Sequence, residues 1–203
     1  MVQLFVDGGG FMIPILLIFI IGLAFVVERL YHLIKGLSSD ETFAEEIANT
    51  VKSSGIESAK AQCEDAQGPV ANLCLAALDR ADLGAKEAEH ALDYSGSIEM
   101  ASMEKNMTWI SLCIATAPML GFLGTVWGMI QAFNDIKMAN DISPAVVAGG
   151  ISVALLTTAF GLVVAVVLQI FQNAVMYIID NQIVTLQKST TSLLHAIKDS
   201  SKK

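Results

Sequence analysis

Residues 153–162, VALLTTAFGL, set two hydroxyls side by side, Thr157 and Thr158, inside a long run with no charged residue. A third hydroxyl, Thr125, stands in the equally apolar stretch GTVWG. Threonine keeps its proton, so it donates, accepts or coordinates but cannot store charge. The chemistry open to these residues is therefore the handling of an ion or proton in transit, or the bonding of one helix to another. At about 1.5 Å of rise per residue, Thr125 lies roughly 12 Å and Thr158 roughly 18–20 Å below the outer ends of their helices. Both fall near the middle of a bilayer, and Thr158 is read as facing the path more directly than Thr157.

The elements that hold these hydroxyls are membrane helices. The chain has 203 residues, 54% hydrophobic and 16% charged, with a mean hydropathy of +0.58, too apolar for an ordinary soluble domain. Three stretches lack Asp, Glu, Lys, Arg and His and are long enough to span: 11–27, 108–133 and 145–179. The third exceeds one crossing and is expected to continue as helix beyond the membrane. The first has no basic residue before it and no small-x-small site after it, so it reads as a retained anchor. Lys and Arg are absent from residues 1–10 and cluster near the other helix ends at Arg29, Lys35, Lys105 and Lys188. The positive-inside rule then gives a short N-terminus (1–10) outside, a cytoplasmic helical segment (28–107), a loop (134–144) outside and a cytoplasmic helical tail (180–203).

The 28–107 segment carries fifteen acidic and seven basic residues. It reads as several short helices, with Ser38 and Glu41 at capping-box spacing and punctuation at Gly55, QGP 67–69 and Gly84. From Ala85 to Thr108 no proline intervenes, which predicts one long helix running into the second span. In the tail, Ile183, Leu186, Leu193, Leu194 and Ile197 lie among polar residues, which predicts a continuation of the third helix. The charge of this region is that of a solvated surface or of a face that docks other proteins.

Small residues order the second and third spans. Ala117, Gly121, Gly124, Gly128 and Ala132 recur every three or four positions, as do Gly150, Ala154, Thr158, Gly161 and Ala165. Gly124 and Gly128 have the close-packing spacing of touching membrane helices. The two stripes predict helices that pack closely or line a narrow space within a multi-helix assembly. Because the spans contain no carboxylate, an ion path here needs one from another chain. No nucleotide loop, Ser/His/Asp set or metal cluster is present, and the acidic pI of about 4.7 argues against nucleic acid. His32, His90 and His195 fall outside the spans as surface or interfacial residues, so the chain reads as no enzyme and as needing no cofactor. Three cysteines, Cys63, Cys74 and Cys113, suggest reduced thiols rather than a disulfide framework.

The stretches APMLGFLGTVWGMIQAF (117–133) and GGISVALLTTAFGLVVAVVLQIFQNAV (149–175) resemble the core of the ExbB/TolQ/MotA family. The opening GGGFMIPILLIFIIGLAFVVERLYHL is similar to its ExbB/TolQ branch, as are the three spans with the large loop after the first. The resemblance implies an all-α membrane protein with long cytoplasmic helical extensions that forms a homopentameric ring in the inner membrane. It implies a dimeric single-span partner of the ExbD/TolR kind, with a transmembrane aspartate that carries H+ or Na+ past Thr125 and Thr158, and work delivered to the envelope through a TonB/TolA-like protein. Pro118 matches the family proline of the second span, where a missing donor would bend or loosen the helix. Gly121, Gly124, Gly128, Ala154 and Gly161 form the packing or pore face. Many ExbB and TolQ proteins carry a glutamate where this chain has Val153, and the tandem Thr157–Thr158 resembles sodium-driven stators, which leaves the ion open. The alternatives are a flagellar or gliding-type stator subunit and a membrane scaffold that conducts nothing.

Overall fold

The computed structural model describes residues 2–36, 40–66, 68–139 and 144–200, and among these it contains helices and no strands. The Ser38–Glu41 capping box cannot be followed, because Ser38 lies outside the described residues. The helices are α1 (Val2–Asp7), α2 (Met12–Gly36), α3 (Asp40–Ser54), α4 (Ile56–Asp65), α5 (Pro69–Leu78), α6 (Ala85–Met103), α7 (Met107–Ala139) and α8 (Pro144–Ser200), with a 3-10 turn at Ala81–Leu83. Three helices are long and apolar enough to cross a membrane. The chain divides into two compact units: residues 1–29 with 106–175, and residues 30–105 with 176–203.

The first unit holds the apolar helices. Ile15 of α2, Cys113 and Ala117 of α7, and Val164 and Leu168 of α8 form its core, with Ile18, Phe19 and Leu23 packed against them. Gly22 lets α2 approach, since an added Cβ there would sit 2.7 Å from Leu168 Cδ1. Phe25 of α2 stacks on Trp109 of α7 with ring centres 6.2 Å apart. Large apolar side chains such as Ile20, Phe122, Val163 and Ile170 remain exposed, as expected where the surrounding solvent is hydrocarbon or a neighbouring subunit. A helix also forms within residues 1–10, which the sequence reading leaves unassigned; Gly9, at φ 73°, turns the chain between α1 and α2.

The second unit is built around α5, which packs on α3, α4 and α6 and buries Val70, Ala71, Leu73, Cys74, Ala77 and Leu78. Gly55, Gly68 and Gly84 precede α4, α5 and α6 with φ of 87°, 145° and 111°, conformations that only glycine adopts freely. In the C-terminal part of α8, Ile179, Gln182, Leu186, Ser189, Leu193 and Ala196 are buried at alternating steps of three and four, the seam of a packed helix. The one buried amide on it is satisfied, for Gln182 Nε2 donates to the Leu33 carbonyl at 3.0 Å. Cys63 and Cys74 meet in this core; their hydrogen bond, and then burial, hold the Cys74 thiol well above its ordinary value.

One expectation is corrected. Residues 85–108 do not form a single helix into the second span: α6 ends at Met103, and α7 begins at Met107. Asn106 takes φ 65°, the left-handed conformation that asparagine tolerates better than other non-glycine residues. Its carbonyl accepts the first bonds of α7 from the Trp109 and Ile110 amides at 3.1 and 3.4 Å. Its side chain donates to Glu28 Oε2 at 3.1 Å.

Candidate functional site: the seam between α7 and α8

The two small-residue stripes meet each other. A Cβ added to Gly161 would lie 2.6 Å from the Ala117 carbonyl oxygen, and one on Gly121 would lie 2.9 Å from the Thr157 carbonyl oxygen. At Gly128 the Ala154 nitrogen and the Gly150 oxygen would both be 3.2 Å away, and at Gly150 the Ala132 methyl stands closer still. Such distances bring backbone against backbone, which only glycine and alanine allow. Of the two arrangements compatible with the sequence, close packing is the one present within the chain.

The threonines occupy this seam in different ways. Thr157 is fully buried, and its Oγ1 donates to the Ala154 carbonyl one turn back at 2.8 Å. It presses on Gly124, where an added Cβ would sit 2.6 Å from Thr157 Oγ1. Thr158 is half-buried and reaches across to α7, donating to the Gly121 carbonyl at 3.1 Å. Thr125 is half-buried on α7, and its hydroxyl donates to the Phe122 carbonyl at 2.6 Å. The seam thus joins Gly121, Gly124, Thr157, Thr158 and Gly161 directly, while Thr125 borders it. Each hydroxyl spends its proton on a carbonyl and keeps its lone pairs as acceptors. Pro118 is half-buried one residue from Ala117, inside a helix that runs through it without a break.

Val153 is half-buried beside Gly9, Phe11, Pro14, Gly124 and Trp127 on a cavity of about 420 Å³. His32, His90 and His195 are exposed, and the described residues contain no group of His, Cys, Asp and Glu able to hold a metal. Two features escaped the sequence reading. Arg29 is only 2% exposed and its Nε donates to Glu28 Oε2 at 2.8 Å, although a charge just past an apolar run reads as interfacial. Gln169, Gln172 and Asn173 bond to one another and to Ser111, and their spacing of three and four within α8 was a legible signal.

The model of the MotA/TolQ/ExbB proton channel family matches residues 65–188. The chain is 29% identical over 199 residues to a putative biopolymer transport protein ExbB homolog of Methanothermobacter thermautotrophicus, covering 96% of this chain and 70% of that protein. It is 25% identical over 185 residues to a putative biopolymer transport protein ExbB-like 3 of a Synechocystis species, covering 90% and 88%. A biopolymer transport protein ExbB of Neisseria gonorrhoeae is 43% identical over 67 residues, which cover 33% of this chain and 30% of that protein. With the family match spanning more than half of a chain that has three apolar helices, two of which carry the small-residue seam, this protein belongs to the MotA/TolQ/ExbB proton channel family, a family of membrane channel subunits rather than enzymes.

Proposed function

We propose that the chain is the ring-forming subunit of an ion-driven motor in the inner membrane, energising transport or maintenance at the cell envelope. The observation that carries the proposal is chemical. The α7–α8 seam holds Thr157 and Thr158 and is bordered by Thr125, while 11–27, 108–133 and 145–179 hold no carboxylate. A cation crossing there needs a negative or titratable group supplied from outside the chain. A single-span partner of the ExbD/TolR kind, two copies inside a ring of five, meets that need with a transmembrane aspartate. Thr125 and Thr158, whose lone pairs remain available, line the path, and Thr157 fixes the helix spacing beside Thr158. The ion is a proton or sodium; hydroxyl oxygens suit either. The N-terminus faces the periplasm, and residues 28–107 and the tail face the cytoplasm. The names of the relatives support biopolymer transport as the load, with a TonB/TolA-like protein receiving the work.

A second reading, a scaffold without conduction, is favoured by one observation: every one of the three hydroxyls already bonds a carbonyl. Thr158→Ala, Thr158→Ser and Thr125→Ala separate the two. The motor reading expects Thr158→Ala to abolish ion-dependent work while the purified assembly keeps its size, and Thr158→Ser to restore it. Unchanged work with a weakened assembly overturns the motor reading and supports the scaffold.

A further inference from the structure

Four side chains near the Asn106 end of the first unit form a polar cluster that the proposed path does not yet use. Gln172 Nε2 donates to Ser111 Oγ at 2.6 Å, joining α8 to α7. Gln169 Nε2 donates to Asn173 Oδ1 at 3.1 Å and to Gln172 Oε1 at 3.4 Å. Ser111, Gln169 and Asn173 are exposed, and Gln172 is half-buried. All are uncharged.

Their position ties them to the threonines. Ser111 lies fourteen residues before Thr125, and Gln169 and Gln172 lie eleven and fourteen after Thr158. Those intervals return close to the same helical face, about 16–21 Å along the axis. The opposite faces at this level differ in kind. Trp109, two residues from Ser111, stacks on Phe25 of α2, and Ile170 and Phe171, beside Gln169, are exposed and apolar. Gln172 bonds across to Ser111 on α7 instead of extending away from the bundle, so the polar face is organised between two helices. Here one face carries amides and a hydroxyl while the others carry aromatic and aliphatic groups. Amides left facing hydrocarbon are costly, so this face looks onto water or another chain.

We propose that Ser111, Gln169, Gln172 and Asn173 form a water-filled mouth on the cytoplasmic side of the ion path, where a monovalent cation passing the Thr125 and Thr158 level regains its hydration. The inference rests on the motor reading and deepens it. Neutral amides suit such an exit, because they supply both donors and acceptors without binding the cation so tightly that it stays.

The test introduces charge at the mouth after assembly. Ser111→Cys and, separately, Gln169→Cys are made in the full assembly with its partner in inverted membrane vesicles. Each is treated from the cytoplasmic side with a membrane-impermeant thiol reagent carrying either a trimethylammonium or a sulfonate group. The native thiols are buried, so the unsubstituted assembly is the control. Charge at a confined mouth changes the local cation concentration severalfold or more. The cationic reagent is therefore expected to lower ion flux about tenfold relative to the anionic reagent at both positions. Equal effects of the two reagents, or labelling without any change in flux, overturn the mouth while leaving the motor reading intact. An unsubstituted assembly that passes no ions overturns both.

Discussion

Replacing Gly161 with alanine tests whether the α7–α8 seam is as tight as its geometry requires. The new Cβ would stand 2.6 Å from the Ala117 carbonyl oxygen, a backbone atom that cannot rotate away, whereas real Cβ contacts essentially never fall under 3.0 Å. The helices must separate by at least about 0.4 Å, and ordinary contact needs about twice that. A shift of that size stretches the 3.1 Å bond from Thr158 to the Gly121 carbonyl beyond hydrogen-bonding range. Overpacking of this kind costs about 1–3 kcal/mol, and a lost interhelical bond adds about 0.6–1.7 kcal/mol. For a chain of this length that corresponds to a fall in Tm of roughly 5–15 °C. Trp109 and Trp127 both lie on α7, so intrinsic fluorescence during heating in detergent reads the loss directly. Gly149→Ala is the matched control, because nothing lies within 4 Å of its added Cβ. A change under about 2 °C for Gly161→Ala, or an equal loss for Gly149→Ala, would refute the reasoning, since either means that the stripes do not hold backbone against backbone.

Two further outcomes follow from the helix break and the buried thiols. Asn106→Ala is expected to destabilise the protein more than Asn106→Gly, by about 1 kcal/mol, because both lose the bond to Glu28 but only alanine pays for the left-handed conformation at φ 65°; thermal melts of the pair measure the difference, and equal melts would remove backbone strain as the explanation. Cys74 keeps its proton in the folded state above the value of 9.0 at which an unfolded thiol ionises. Above pH 9 the unfolded chain therefore binds fewer protons than the folded one, and stability contributed by this thiol, fully present below pH 9, falls as pH rises. Cys63, whose thiol the same hydrogen bond holds below its ordinary value, acts in the opposite sense up to pH 9, so denaturation followed from pH 9 upward should show the decline in the natural protein and a shallower one when Cys63 and Cys74 are both replaced by alanine.

Much of the fold was legible because hydropathy and helical periodicity are local properties. Three uncharged stretches mark three long helices, and Gly55, Gly68 and Gly84 sit where the chain must turn with positive φ. In the tail, Ile183, Leu186, Leu193 and Ile197 stand three, seven and four residues apart, helical intervals that continue α8 to Ser200. The break at Asn106 was not legible in the same way. Neither proline nor glycine announces it, and asparagine in a left-handed conformation is recognised only once the backbone bonds on either side are known. Arg29 likewise reads as an interfacial charge, and only the folded chain encloses it at 2% exposure.

At the candidate site the division falls between spacing and distance. The sequence by itself determined which residues share a face: Gly121, Gly124 and Gly128 on one helix, Ala154, Thr158 and Gly161 on the other, with hydroxyls and no carboxylate between them. Tertiary structure alone decided that these faces touch, that Thr157 is enclosed against Gly124, and that Thr158 reaches the Gly121 carbonyl. The reason is physical. A helix repeats every 3.6 residues whatever lies beside it, so its faces are written in the chain. Whether two small-residue faces meet or stand apart depends on side chains from α2, α7 and α8 filling the space around them together, which no single segment encodes.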